Sequence, residues 1–315
     1  MRSTFGGFLR CLAVTAAVAA GPGGGASAAP FAVPNPYASG PSDRDIRVRT
    51  LAVLGDSYSA PRTVVPRGWA ERLAFDGEVA RLDDLAVIGA TAASVPPGTN
   101  DLAHQVARWL AAPPVPRRRD LTVVYLGHND IWHGTDPAGA DLAAAMRGYR
   151  AGLRRIVGAG GGGRRVLLVM PHDWGRDPFF VREGGAGVMR RRTLVWDGFL
   201  ARTARDLPAA GGGVVAVDLF TAMERVFRDP GAFCLTNVTT ADEAASATTA
   251  LFSNDFHVGY RGQDLIGQVV EYYLTRGWDW SGTVKDPGAA RRRLRADLDA
   301  GRVFTSPCPP ARPSR

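Results

Sequence analysis

Short apolar runs rich in Val, Leu or Ile alternate with longer amphipathic stretches through most of this 315-residue chain. The runs are Val48–Leu54, Leu85–Ile88, Leu121–Leu126, Val166–Met170 and Val214–Val217. An uninterrupted apolar run fits a strand covered on both faces, and such strands joined by helix-length segments form a parallel sheet. Helical periodicity falls over Gly68–Phe75, Leu102–Leu110, Ala138–Val157, Val188–Leu207, Leu219–Phe227 and Gln263–Tyr273. Right-handed crossovers then assemble a doubly wound α/β fold with five strands. A length of 315 residues, 45% of them hydrophobic, is enough to bury one full core.

The ends divide differently. Residues 1–28 carry Arg2 and Arg10, an apolar run from Cys11 to Ala20 and small residues at Ala26, Ser27 and Ala28, the pattern of a secretory signal peptide. That run is far shorter than the ~20 residues of a membrane span. A Pro-, Gly- and Ser-rich linker over 29–43, a folded domain over 44–285 and a C-terminal tail over 286–315 complete the expected organisation. An exported chain matures where thiols oxidise, so Cys234 and Cys308 are expected to pair and tie the tail to the body.

Net charge is +8, and Lys285 is the one lysine. Clusters at Arg117–Arg119, Arg190–Arg192 and Arg291–Arg293 suit solvated faces or peripheral contact with an anionic membrane surface. They lack the aromatic interleaving of a nucleic-acid site, so no nucleic-acid partner is expected. The glycine runs Gly160–Gly163 and Gly211–Gly213 precede strands, whereas a phosphate-cradling loop follows one. No nucleotide or other cofactor is expected, and a monomer is the simplest state.

In open α/β sheets, ligands bind beyond the carboxyl ends of the strands. After the first run come Gly55, Asp56 and Ser57; after the second, Gly89; after the third, Gly127, His128, Asn129 and Asp130. His257 stands in "SNDFHVGYRG", just before the last helix. A hydroxyl, an imidazole and N–H donors are the parts of an acyl-transfer site. The other histidines, His104, His128, His133 and His172, form no metal-binding spacing, so no metal is expected.

The blocks "GDSY", "LAVIGATAAS", "GHND" and "NDFHVG" resemble, in order, the four signature blocks of the SGNH or GDSL hydrolase superfamily. "GWAERLA" and "FRDPGAFCLTNVT" further resemble its GDSL lipase branch, which includes secreted lipases, lysophospholipases and the thermolabile haemolysin type. The resemblance implies a flavodoxin-like three-layer sandwich around a five-stranded parallel sheet. It implies Ser57 as nucleophile, His257 as general base, and an oxyanion hole from the N–H groups of Ser57 and Gly89 and the Asn129 amide. Asp56 and Asp130 would brace their loops.

One departure concerns the group that orients His257. The usual block has aspartate three residues before the histidine, where this chain has Asn254, while Asp255 stands two before it. Asp255 is the expected partner, with Asn254 in its place, or a backbone carbonyl, as the alternatives. Trp132 and Trp174, with Phe179 and Phe180, would line a substrate pocket. The implied activity is carboxylic ester hydrolysis through an acyl-serine, on lipid or lysophospholipid esters, with carbohydrate acetate esters second. A binding or adhesion protein with a decayed site is the alternative of another class.

Overall fold

The computed structural model describes residues 31–34, 48–60, 68–76, 79–93, 100–111, 120–159, 165–207, 213–243, 248–276 and 287–305. The signal peptide, Arg117–Arg119 and Cys308 lie outside the described residues. Six strands form the main sheet: β1 (Phe31–Pro34), β2 (Val48–Gly55), β3 (Val79–Asp84), β4 (Asp120–Tyr125), β5 (Arg165–Val169) and β6 (Gly213–Val217). Their order is β1-β3-β2-β4-β5-β6, with β1 antiparallel to β3 and the other five parallel. Counting only the parallel strands in chain order gives 2-1-3-4-5, the flavodoxin-like arrangement.

Helices cover both faces, as the central strands demand: Val166, Leu167, Leu168 and Val169 are all fully buried. The helices α2 (Leu102–Ala111), α4 (Ala143–Gly158) and α6 (Ala186–Asp206) pack on one another, as do α1 (Trp69–Phe75), α7 (Leu219–Arg228), α8 (Tyr260–Arg276) and α9 (Pro287–Asp299). Two short helices, α3 (His128–His133) and α5 (Pro178–Arg182), follow strands β4 and β5. A small parallel pair, β7 (Asn237–Ala241) and β8 (Ala250–Phe252), precedes α8. No helix among the described residues is long and apolar enough to cross a membrane.

Three boundaries differ from the sequence reading. The second parallel strand is Val79–Asp84 rather than Leu85–Ile88. Leu85 and Val87 still donate backbone N–H bonds to Val53 and Gly55 of β2 (2.8 and 3.1 Å), so the apolar run continues the strand's path before turning away. Part of the expected linker is strand β1, and much of the expected tail is α9. This helix belongs to the body: Leu294 is fully buried, and Tyr272 Oη donates to Asp297 Oδ2 at 2.6 Å.

Acidic residues disguise β3. Asp84 is buried, with Oδ1 accepting the Ala86 N–H at 2.9 Å. Desolvation pushes its pKa up to about 8. The folded protein therefore keeps this carboxyl protonated at pH values where the unfolded chain has lost the proton. Stability contributed in this way is complete below about pH 4 and declines as pH rises to about 8. In Asp84→Asn an amide oxygen can still accept from Ala86 but nothing ionises, so the urea midpoint is expected to fall less steeply between pH 5 and 8 than in the parent. Identical slopes would show that Asp84 ionises normally in the folded state.

Candidate active site

The loop that carries Ser57 begins where β2 ends. Gly55 sits so close to β4 that a Cβ there would lie 2.6 Å from the Tyr125 carbonyl oxygen. Gln105 of α2 holds this glycine from both sides, accepting its N–H and donating to its carbonyl, each at 2.8 Å. Asp56 is completely buried; its Oδ1 accepts the Tyr58 N–H at 3.0 Å and its Oδ2 accepts His128 Nδ1–H at 2.8 Å. Gln263 of α8 donates to the Tyr58 carbonyl at 3.3 Å, and Trp69 of α1 donates its indole N–H to Ser59 Oγ at 3.1 Å. Helices from both layers thus fix the turn that presents Ser57.

Ser57 Oγ donates to His257 Nε2 at 2.8 Å. On the far side of the ring, His257 Nδ1–H donates to Asn254 Oδ1 at 3.0 Å. The same oxygen accepts the backbone N–H groups of Phe256 and His257, each at 2.9 Å. Those donors can only meet oxygen, so the amide cannot turn its NH2 toward the ring. The imidazole is consequently held with its proton on Nδ1 and a lone pair on Nε2, the tautomer that can receive the serine proton.

The expectation that Asp255 orients His257 is corrected by this geometry. Asp255 turns outward, and its two oxygens accept from Arg182 of α5 at 3.1 and 2.8 Å. In the tight turn it is Asn254, three residues before the ring, that faces inward. Burial pulls the His257 pKa down to about 4; the Asp56 charge opposes that shift and His128 reinforces it.

The three expected oxyanion donors gather at the same edge. Gly89 has φ +75°, in a turn closed by the Ala90 N–H bonding to the Val87 carbonyl at 3.1 Å. A Cβ at Gly89 would meet open space, so the positive φ rather than crowding calls for glycine. The N–H groups of Ser57 and Gly89 meet no acceptor among the described residues. Asn129 Nδ2 donates one hydrogen to the Ala90 carbonyl at 2.8 Å and keeps a second. Asp130 Oδ2 accepts the Ala92 N–H at 2.9 Å, while desolvation lifts its pKa to about 7.

Several contributors escaped sequence reasoning. Tyr58 stacks on His128 (centroids 4.0 Å, planes 12° apart) and donates its hydroxyl to the Phe256 carbonyl at 2.5 Å. Behind it, His172 Nε2–H donates to Asp177 Oδ1 at 2.7 Å, and burial raises the Asp177 pKa. Arg192, expected in a surface cluster, is fully buried and donates to the carbonyls of Ile131 (2.7 Å) and Asp130 (3.3 Å) and to Asp141 Oδ1 (2.8 Å). Arg190 of the same cluster pairs with Asp173 and Glu224. The Arg-Arg-Arg spelling carries no sign of which member turns inward.

The aromatic residues also sort differently. Trp174 is 2% exposed and packs against Phe180 at 5.4 Å, so it is core rather than pocket lining. Trp132 is half-buried and stacks on Phe256 at 4.9 Å, which in turn meets Phe179 at 4.8 Å. Phe256 immediately precedes His257 in the chain, and all three rings are partly exposed.

A serine and an imidazole sharing a proton at the carboxyl edge of a flavodoxin-like sheet define an α/β protein of the hydrolase class. Residues 53–265 match the model of the GDSL-like lipase/acylhydrolase family, and the chain belongs to that family. Among solved structures it is similar to a lipolytic G-D-S-L family protein from Veillonella parvula (14% identity, TM-score 0.49), covering 73% of this chain and 100% of that one. It is also similar to a catalytic mutant of an acetylxylan esterase from Geobacillus stearothermophilus (15% identity, TM-score 0.46), covering 75% and 98% respectively. A protein from Lactobacillus plantarum aligns at 18% identity and TM-score 0.47, over 74% and 100%. No curated protein matches the chain.

The two neighbouring residues before His257 should separate cleanly by mutation. Asp255→Ala is expected to leave the rate of ester cleavage within a few-fold of the parent. Asn254→Asp places a carboxylate at Nδ1, which favours the imidazolium, so the acid limb of the kcat/KM profile should move upward from about pH 4. A profile unchanged in Asn254→Asp but collapsed in Asp255→Ala would reverse the assignment.

Proposed function

We propose that the chain is a serine ester hydrolase working through an acyl-enzyme, with Asn254 completing a Ser57–His257–Asn254 triad. The observation that carries this reading is the relay of 2.8 and 3.0 Å bonds running from Ser57 through both nitrogens of His257. Ser57 Oγ attacks the ester carbonyl carbon as its proton passes to His257 Nε2. The carbonyl oxygen takes up negative charge facing the N–H groups of Ser57 and Gly89 and the Asn129 amide. Collapse expels the alkoxide, which takes the proton back from His257; water then repeats the sequence on the acyl-serine and regenerates the hydroxyl.

For substrate, we favour lipid or lysophospholipid esters. Supporting this are the partly exposed, mutually packed rings of Trp132, Phe256 and Phe179, on the loop that carries His257 and its neighbours, and the exposed side chain of Ile88 next to Gly89. Export belongs to the same proposal and rests on the basic, apolar and small-residue pattern of residues 1–28. So does a Cys234–Cys308 bridge. Supporting the bridge, Phe304, four residues before Cys308, packs its ring 4.9 Å from that of Phe233, which adjoins Cys234.

A fluorophosphonate probe is expected to label the native protein and not Ser57→Ala. Asn129→Ala should lower kcat by about 10² to 10³. Across p-nitrophenyl esters from acetate to palmitate, kcat/KM should rise beyond acetate. Activity confined to acetate would favour a carbohydrate acetyl esterase, and no labelling at all would favour a binding protein with a decayed site.

A further inference from the structure

We propose that the Tyr58 hydroxyl is the positioning group that sets the height of the His257 ring above Ser57, by anchoring the Phe256 carbonyl from inside the molecule. The inference rests on the proposed catalytic pairing of Ser57 with His257. Tyr58 is 2% exposed, and its hydroxyl lies 2.5 Å from the Phe256 oxygen, one residue before the imidazole. The donor and the nucleophile are thus consecutive residues, while the acceptor and the base are consecutive residues on a loop 198 positions away. A single hydrogen bond therefore fixes the distance between the two loops that carry the reacting atoms.

The tyrosine can do this because it is itself immobilised. Its N–H bonds to Asp56 Oδ1, its carbonyl accepts from Gln263, and its ring lies on His128, which Asp56 clamps through the other carboxylate oxygen. The Asp177 Oδ2 at 3.4 Å is a second, more distant acceptor, with His172 holding the remaining oxygen of that carboxylate. On the outer side, the His257 loop is tied by the Arg182–Asp255 pair and by the Phe179 N–H bonding to the Asp255 carbonyl at 3.3 Å. The ion pair of that outer tie is solvent-exposed and worth little, and the backbone bond is long. The inner one is short and comes from a buried ring, and Asn254 orients the ring only relative to its own loop. Registry with Ser57 therefore falls to Tyr58.

The test compares the full chain with Tyr58→Phe, which keeps the ring and its stacking. We expect kcat on a p-nitrophenyl ester to fall roughly ten- to a hundred-fold with KM within about twofold, since misplacement on the order of 1 Å is enough for such losses. Fluorophosphonate labelling should slow by a similar factor well below the melting temperature. The His257 imidazole, followed by NMR, should titrate nearer the ordinary histidine range as water reaches the loosened loop. A merely structural tyrosine would lower the melting temperature and move neither the labelling rate nor that midpoint; this result overturns the proposal. If the parent protein is not labelled, the hydrolase reading fails separately, and the NMR midpoint still decides whether Tyr58 holds His257. A crystal structure with the Tyr58 hydroxyl more than 3.5 Å from the Phe256 oxygen overturns it whatever the variant does.

Discussion

Ser57 and His257 lie 200 residues apart in the chain and meet at 2.8 Å. A hydrogen bond of this kind contributes a net ~1 kcal/mol. Ordering even one loop residue costs roughly 1–2 kcal/mol of backbone entropy. The bond therefore cannot assemble the site; it reports that other forces already have. Those forces are the burial of five parallel strands, which brings the carboxyl ends of β2 and β4 side by side, and a handful of side chains that convert strand ends into fixed loops. Gln105 holds Gly55, Gln263 and Trp69 hold the turn after Ser57, and Asn129 and Asp130 hold the Gly89 loop.

That division of labour explains what could be read from the sequence. Strand interiors such as Val166–Val169 are uniform in chemistry because both faces are covered, and their carboxyl ends mark where polar residues must serve a site. That Ser57 and Asn129 follow strand ends was legible for that reason. Strand β3 was not, since Asp83 and Asp84 break its apolar run; one pairs with Arg81 and the other is protonated by burial. The choice between Asn254 and Asp255 was equally hidden. Adjacent residues in a tight turn point opposite ways, and the carboxylate's destination, Arg182, lies 73 positions away. Trp174 and Arg192 were misread because residue type alone does not say which way a side chain turns.

The neutral partner at His257 follows from the same electrostatics that govern the surrounding shell. Asp56, Asp130 and Asp177 are already buried there, and desolvation raises the pKa of the latter two. Each buried anion must be compensated by hydrogen bonds or by a proton. A further carboxylate at position 254 would add to that burden, whereas an amide accepts the Nδ1 proton and two backbone N–H groups without a charge to desolvate. The consequence falls on the base. With no anion against Nδ1, an imidazolium formed in the proposed attack would have Asp56 as its charge support, and Asp56 is shared with His128. A base of this kind is weak but stays unprotonated to about pH 4, so the site exchanges proton affinity for readiness in acid and relies on geometry to make up the difference.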